Sequence, residues 1–121
     1  MSKKTVLIID DEYAILELIG ILLTDYGYHV QTATSGDEGL AIMGQERPDL
    51  VVLDYMMPVL NGGDVLRQMR EQPTLADVPV IMVSAAPRAV EEANLEFDAF
   101  LSKPFDVAEL LRIIEELIGI P

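Results

Sequence analysis

The sequence predicts an α/β fold, a doubly wound five-stranded parallel sheet with helices on both faces. Two observations carry that expectation. Val6-Leu7-Ile8-Ile9, Leu50-Val51-Val52-Leu53 and Val80-Ile81-Met82-Val83 are continuous apolar runs rather than alternating ones, the pattern of strands buried on both faces of a parallel sheet. Amphipathic segments separate them, so the chain reads strand then helix, repeated five times, with crossovers that place helices on either side.

In chain order, the Val6–Ile9 run is the first strand. Ile15, Leu18, Ile19, Leu22, Leu23 and Tyr26 then follow the helical period, and Gly27 is placed to end that helix. Tyr28 to Ala33 is a weaker strand, expected toward an edge. Ser35 and Glu38 have capping-box spacing and open a second helix through Met43, with Gly44 as its stop. The central Leu50–Leu53 strand follows. Gly62-Gly63 reads as a turn before a third helix marked by Val65, Leu66 and Met69. After the Val80–Val83 strand comes a short fourth helix, Ala89 to about Asn94, and an edge strand from Ala99 to Ser102. Asp106 with Glu109 caps the fifth helix, whose apolar stripe is Leu110, Leu111, Ile114, Leu117 and Ile118.

Composition narrows the class. At 121 residues, half of them hydrophobic, the chain can bury a core without staples. No apolar run reaches the ~20 residues of a membrane span, and Met1 to Thr5 leads straight into a strand, which leaves no room for a signal peptide. Cysteine is absent, so disulfides and thiolate metal sites are excluded. The expectation is a cytoplasmic protein. The net charge of −13 repels phosphate backbones and anionic membranes, so neither direct nucleic-acid binding nor membrane association is expected.

In open α/β sheets, ligands bind beyond the carboxyl ends of the strands. Asp10 and Asp11 follow the first strand, Asp54 the third, Ser84 the fourth and Lys103 the fifth. Three carboxylates at one sheet edge repel each other unless a cation joins them. Oxygen ligands without His or Cys suit a hard ion such as Mg²⁺. A carboxylate can act as nucleophile and form an aspartyl phosphate; Lys103 and the Ser84 hydroxyl are suited to its oxygens. Together these groups fit phosphoryl transfer. Asp49 precedes its strand, at the opposite end of the sheet, and reads as a turn residue. Met56 and Met57 read as core fillers, and His29 as a surface residue of an edge strand.

Ile8-Ile9-Asp10-Asp11-Glu12, Val52 to Pro58, Asn61-Gly62, Val83-Ser84-Ala85 and Leu101-Ser102-Lys103-Pro104-Phe105 occur in order. Together they resemble the receiver domains of two-component response regulators, the CheY-like domains, over essentially the whole chain. The resemblance implies one receiver domain over 1–121, a flavodoxin-like sheet of order 2-1-3-4-5, and a phosphorylation-activated switch rather than a turnover enzyme. It implies Asp54 as phosphoacceptor from a histidine kinase or phosphotransfer protein, and an effector protein or output domain as reader. Mg²⁺ would be held by Asp11, Asp54 and the Met56 backbone carbonyl, with Asp10 acting through a water. Ser84 would be the switch hydroxyl, Phe100 the switch aromatic, and Lys103–Pro104 a cis bond. Phe100 also fits plain core.

Departures from the family pattern lie between Ser84 and Lys103. That segment is shorter than in relatives, Pro87 interrupts the start of the fourth helix, and Glu96 stands where many relatives have glycine. The fourth helix is expected to be short or irregular. On the face that many relatives use to dimerise, only Arg88 and Arg112 are basic. A haloacid-dehalogenase-like phosphatase is the competing enzyme class. It would need an Asp-x-Asp pattern after the first strand and a cap segment, whereas the pattern here is Asp10-Asp11. A binding domain that has lost its chemistry is the third alternative, opposed by retention of all five site residues.

Overall fold

The computed structural model describes residues 3–121. Ten elements alternate: β1 (Thr5–Ile9), α1 (Tyr13–Tyr26), β2 (His29–Ala33), α2 (Gly36–Gln45), β3 (Leu50–Asp54), α3 (Gly62–Glu71), β4 (Val80–Ser84), α4 (Pro87–Glu92), β5 (Ala99–Ser102) and α5 (Val107–Ile118). The strands form one sheet of order β2-β1-β3-β4-β5, and every pair is parallel. The doubly wound architecture and the strand order match the expectation, with the two weaker strands at the edges.

The continuous apolar runs divide between two cores because successive side chains of a strand point to opposite faces. Val6, Ile8, Leu50, Val52, Ile81 and Val83 pack with Leu16, Ile19 and Leu23 of α1 and Leu110 and Ile114 of α5. Leu7, Ile9, Val51, Leu53, Val80 and Met82 pack with Met43 of α2, Val65, Leu66 and Met69 of α3 and Val90 of α4. All residues of β1, β3 and β4 are buried. At ~1.5–3 kcal/mol per buried large apolar side chain, these three strands make a large contribution to the favourable side of folding.

Several local expectations need correcting. The buried stripe of α1 is Leu16, Ile19 and Leu23, while Leu18, Leu22 and Tyr26 are exposed. The helix is apolar on nearly all sides, so periodicity alone could not choose its buried face. Gly27 ends it as expected, with φ of 124° and its N–H bonded to Leu23 and Thr24 carbonyls. Ser35 caps α2 through the Glu38 N–H, and the Glu38 carboxylate accepts from Thr34 N. Gly44 lies inside α2, which continues to Gln45; nothing lies within 4 Å of the space its side chain would fill, so no packing constraint stops the helix there.

Gly62-Gly63 is not a turn before α3 but its first two residues. Asn61 caps the helix, its side chain accepting from Asp64 N at 2.9 Å while Asp64 accepts from Asn61 N at 3.0 Å. Pro87 opens α4 rather than interrupting it, since a first-turn residue has no use for its N–H. That helix is six residues long, short as expected. Asp106 occupies the N-cap of α5 but makes no side-chain capping bond. Of the predicted α5 stripe, Leu110 and Ile114 are buried and Leu111, Leu117 and Ile118 are half-buried against the same core. Met57 is buried, but the Met56 side chain is exposed.

Candidate phosphoacceptor site

The carboxyl ends of β1 and β3 bring Asp10, Asp11 and Asp54 together. One carboxylate oxygen from each lies within 4.8 Å of the others. Asp10 and Asp54 are each only 4% exposed, whereas Asp11 faces solvent. The acidic pair after β1 does not cap α1: Asp10 Oδ1 accepts from Glu12 N at 2.9 Å, and Glu12 is the N-cap residue.

Lys103 supplies the opposing charge. Its Nζ lies 2.9 Å from Asp10 Oδ2, 3.3 Å from Glu12 Oε1 and 3.6 Å from Asp54 Oδ1. The Lys103–Pro104 bond is cis. Backbone pairing fixes the height of the lysine on the sheet, since Lys103 N donates to Ser84 O at 2.9 Å.

The electrostatics are strained around Asp54. Burial pushes the Asp54 carboxyl up to about 7, and the Asp10 charge adds to that shift; Lys103 and the Met56 N–H oppose it, while Asp11 raises it further. Burial works against the Lys103 ammonium, but its hydrogen bond to Asp10 and the charges of Asp10 and Asp54 outweigh it, so the Lys103 pKa is raised. The donors are carboxylate oxygens, one of them solvent-facing, and their mutual repulsion is the kind a hard divalent cation relieves. The residues therefore fit Mg²⁺.

Close packing of α3 onto β3 positions the loop between them. Gly62 N donates to Tyr55 O at 2.8 Å, and a Cβ at Gly62 would stand 2.7 Å from Asp54 O and 2.8 Å from Tyr55 Cα. Glycine is needed here for close approach. In the same loop Val59 has φ of 67° and is 93% exposed. A β-branched residue in that region costs about 1–2 kcal/mol.

Ser84 and Phe100, the expected switch pair, lie on the neighbouring strands β4 and β5. Ser84 ends β4, fully buried, with its Oγ accepting from Ala86 N at 2.9 Å. Phe100 on β5 is half-buried against the α2–α3 core, its ring 6.2 Å from that of Phe97. Asp49 bonds Thr5 through both backbone and side chain, at the opposite end of the sheet. His29 is exposed, 3.9 Å from Glu46. Glu12 had no assigned role in the sequence reading. The available signal was a glutamate where a helix-capping Asp, Asn, Ser or Thr is usual. The Asn61/Asp64 cap was legible from its spacing and was also missed.

A family model of the response regulator receiver domain matches residues 6–115. The DNA-binding dual master transcriptional regulator RpaA of Synechocystis sp. is 39% identical over 117 residues, which span 93% of this chain and 48% of that protein. The alkaline phosphatase synthesis transcriptional regulatory protein PhoP of Bacillus subtilis is 37% identical over 121 residues, 98% of this chain and 49% of that protein. The chain thus spans about half the length of the curated relatives it matches. Among solved structures, the receiver domain of a sensor histidine kinase from Pseudomonas aeruginosa PAO1, with a magnesium ion coordinated in its active-site cleft, has a TM-score of 0.90 at 29% identity, covering 98% of this chain and 99% of that one. The chemotaxis response regulator CheY4 of Vibrio cholerae has a TM-score of 0.88 at 28% identity, covering 96% and 99%. This chain belongs to the family of response regulator receiver domains.

Proposed function

We propose that the chain is a single receiver domain that accepts a phosphoryl group on Asp54 and signals through the change that follows. One observation carries the reading: a buried Asp54 carboxylate shares its pocket with Asp10 and Asp11 and lies 3.6 Å from the Lys103 ammonium. An Asp54 oxygen attacks phosphorus in line, the P–N bond of a donor phosphohistidine breaks, and its electron pair leaves with the imidazole. Lys103 balances the charge on the transferred oxygens.

Asp11, Asp54 and the Met56 carbonyl would hold Mg²⁺, with Asp10 acting through a water; the ion, when bound, neutralises phosphoryl charge. Ser84 would then donate to a phosphoryl oxygen, and Phe100 would follow into the space it leaves. The same groups serve the attack of water on the phosphoryl group, so the chain promotes its own phosphorylation and its own reset without turning over other substrates.

The donor is a histidine kinase or phosphotransfer protein. Exposed Leu18 on α1 and an apolar groove of about 400 Å³, lined by Ile15, Leu18, Lys103, Pro104 and Phe105, lie beside the pocket and suit a protein donor. The reader is an effector protein or a linked output domain. The charge of −13 opposes nucleic-acid contact by this chain itself. No helix among the described residues is long and apolar enough to cross a membrane, and we place the domain in the cytoplasm.

Acetyl phosphate with Mg²⁺ should give an acid-labile adduct on wild type and none on Asp54→Asn. Phosphate on another residue of that variant would sink the assignment.

A further inference from the structure

We propose that Glu12 is a positioning residue that competes with the incoming phosphoryl group for Lys103, so that the unphosphorylated state holds a built-in counterweight. This rests on Asp54 as acceptor.

The position of Glu12 is unusual for its residue type. It is the N-cap of α1, yet its side chain makes no capping bond, and the first turn of that helix contains no acid. A capping carboxylate would stabilise the free N–H groups and the positive end of the helix. The Glu12 carboxylate instead reaches Lys103 Nζ at 3.3 Å, across 91 residues of sequence.

An ammonium has three N–H donors. Three carboxylates surround this one, and the acceptor is the farthest: Asp10 at 2.9 Å, Glu12 at 3.3 Å, Asp54 at 3.6 Å. Asp54 at 3.6 Å is an ion pair beyond hydrogen-bond reach. Drawing the ammonium toward a phosphoryl oxygen on Asp54 therefore stretches its bonds to Asp10 and Glu12, and the more weakly held of the two gives way. The Asp10 side chain is 6% exposed and also holds the Glu12 N–H, so releasing it would leave a buried carboxylate short of a donor. The Glu12 side chain is 60% exposed and can turn into water at little cost. Glu12 is therefore the partner that Lys103 releases. Its pairing favours the unphosphorylated arrangement and so weakens every ligand that needs Lys103.

The test uses beryllofluoride, a phosphoryl mimic, with Mg²⁺, and NMR of the lysine side-chain signals in the full chain. Glu12→Gln should bind beryllofluoride about two- to fivefold more tightly than wild type, the size of one exposed ion pair, and the gain should shrink in high salt. Glu17→Gln removes the same charge from an exposed position on α1 and should change nothing. In the ligand-free protein, Glu12→Gln should move the Lys103 side-chain resonance and Glu17→Gln should not. Equal gains in both variants would mean bulk charge relief and overturn the proposal, as would unchanged or weaker binding by Glu12→Gln while wild type responds. Wild type that takes up no beryllofluoride would overturn the acceptor reading and the competition with it.

Discussion

The Lys103 ammonium lies 2.9 Å from Asp10 and 3.6 Å from Asp54, so its closest partner is Asp10 rather than the proposed acceptor. Both acids are nearly inaccessible to solvent. Lysine and divalent cation would therefore act on overlapping charges, and removing any one of them should be felt by the others.

The two adjacent aspartates can be separated by metal binding. Asp11→Asn should weaken Mg²⁺ affinity more than Asp10→Asn, because a direct ligand loses more than one acting through water. Asp10→Asn should in addition lower stability, since Asp10 accepts from both Lys103 and Glu12 N. Calorimetric titration and thermal melts measure the two effects. Equal Mg²⁺ affinities across wild type and both variants would refute the site.

Asp54→Asn should make the metal-free protein more stable near neutral pH. Burial and the neighbouring Asp10 charge disfavour the Asp54 carboxylate, which the raised value of about 7 reflects. Replacing it with a neutral amide relieves that cost, by on the order of 1–3 kcal/mol. Added Mg²⁺ should stabilise wild type more than the variant and narrow the gap. A variant that melts below metal-free wild type would contradict this.

Ser84→Ala should still accept phosphate, because Asp54 and Lys103 remain. It should lose most of the phosphorylation-induced NMR shift change around Phe100 and α4. One charge-assisted hydrogen bond of about 1.5–3 kcal/mol shifts a two-state ratio about 10- to 150-fold, enough for a switch. The Ser84 hydroxyl is bonded to Ala86 N, so its movement would also loosen the turn that leads into α4. A wild-type-like response in Ser84→Ala would show that the short α4 segment switches by another route.

Val59→Asn should stabilise the chain by about 1 kcal/mol, since asparagine tolerates the left-handed region that strains a β-branched side chain. The 93% exposure of Val59 means no packing is lost. Chemical denaturation measures the change, and a loss of stability would show that the valine makes a contribution its exposure hides.

Tyr28 gives the fold an alkaline limit. Its ring is buried, its hydroxyl donates to Gly119 O at 2.9 Å, and burial, with the Glu115 charge, raises its pKa from 10.0 to about 12. The folded state thus holds the Tyr28 proton more tightly than the unfolded chain. That contribution is whole below about pH 10 and is lost as pH rises through about 12. Tyr28→Phe should show a shallower fall in unfolding free energy across that window. Parallel curves for the two proteins would exclude Tyr28 as the cause.

The architecture was legible in the sequence because burial on both faces demands apolar residues at every strand position. Val6–Ile9, Leu50–Leu53 and Val80–Val83 leave no polar face to turn outward, so β1, β3 and β4 had to be interior strands. The residues that follow them, with the Lys103 that follows the fifth strand, then shared one sheet edge, which made the Asp10, Asp11, Asp54, Ser84 and Lys103 set visible in the sequence alone. What only the tertiary structure decided were the choices between equivalent neighbours. On α1, apolar side chains surround the helix, and the sheet and α5 selected Leu16 over Leu18 and Leu22. Gly62 opens α3 because the helix end must approach the Asp54 backbone, a contact between elements that no local turn pattern encodes. The partners of Lys103 depend on distances across the sheet edge, where differences of a few tenths of an ångström rank Asp10, Glu12 and Asp54. Such differences arise from packing, not from periodicity.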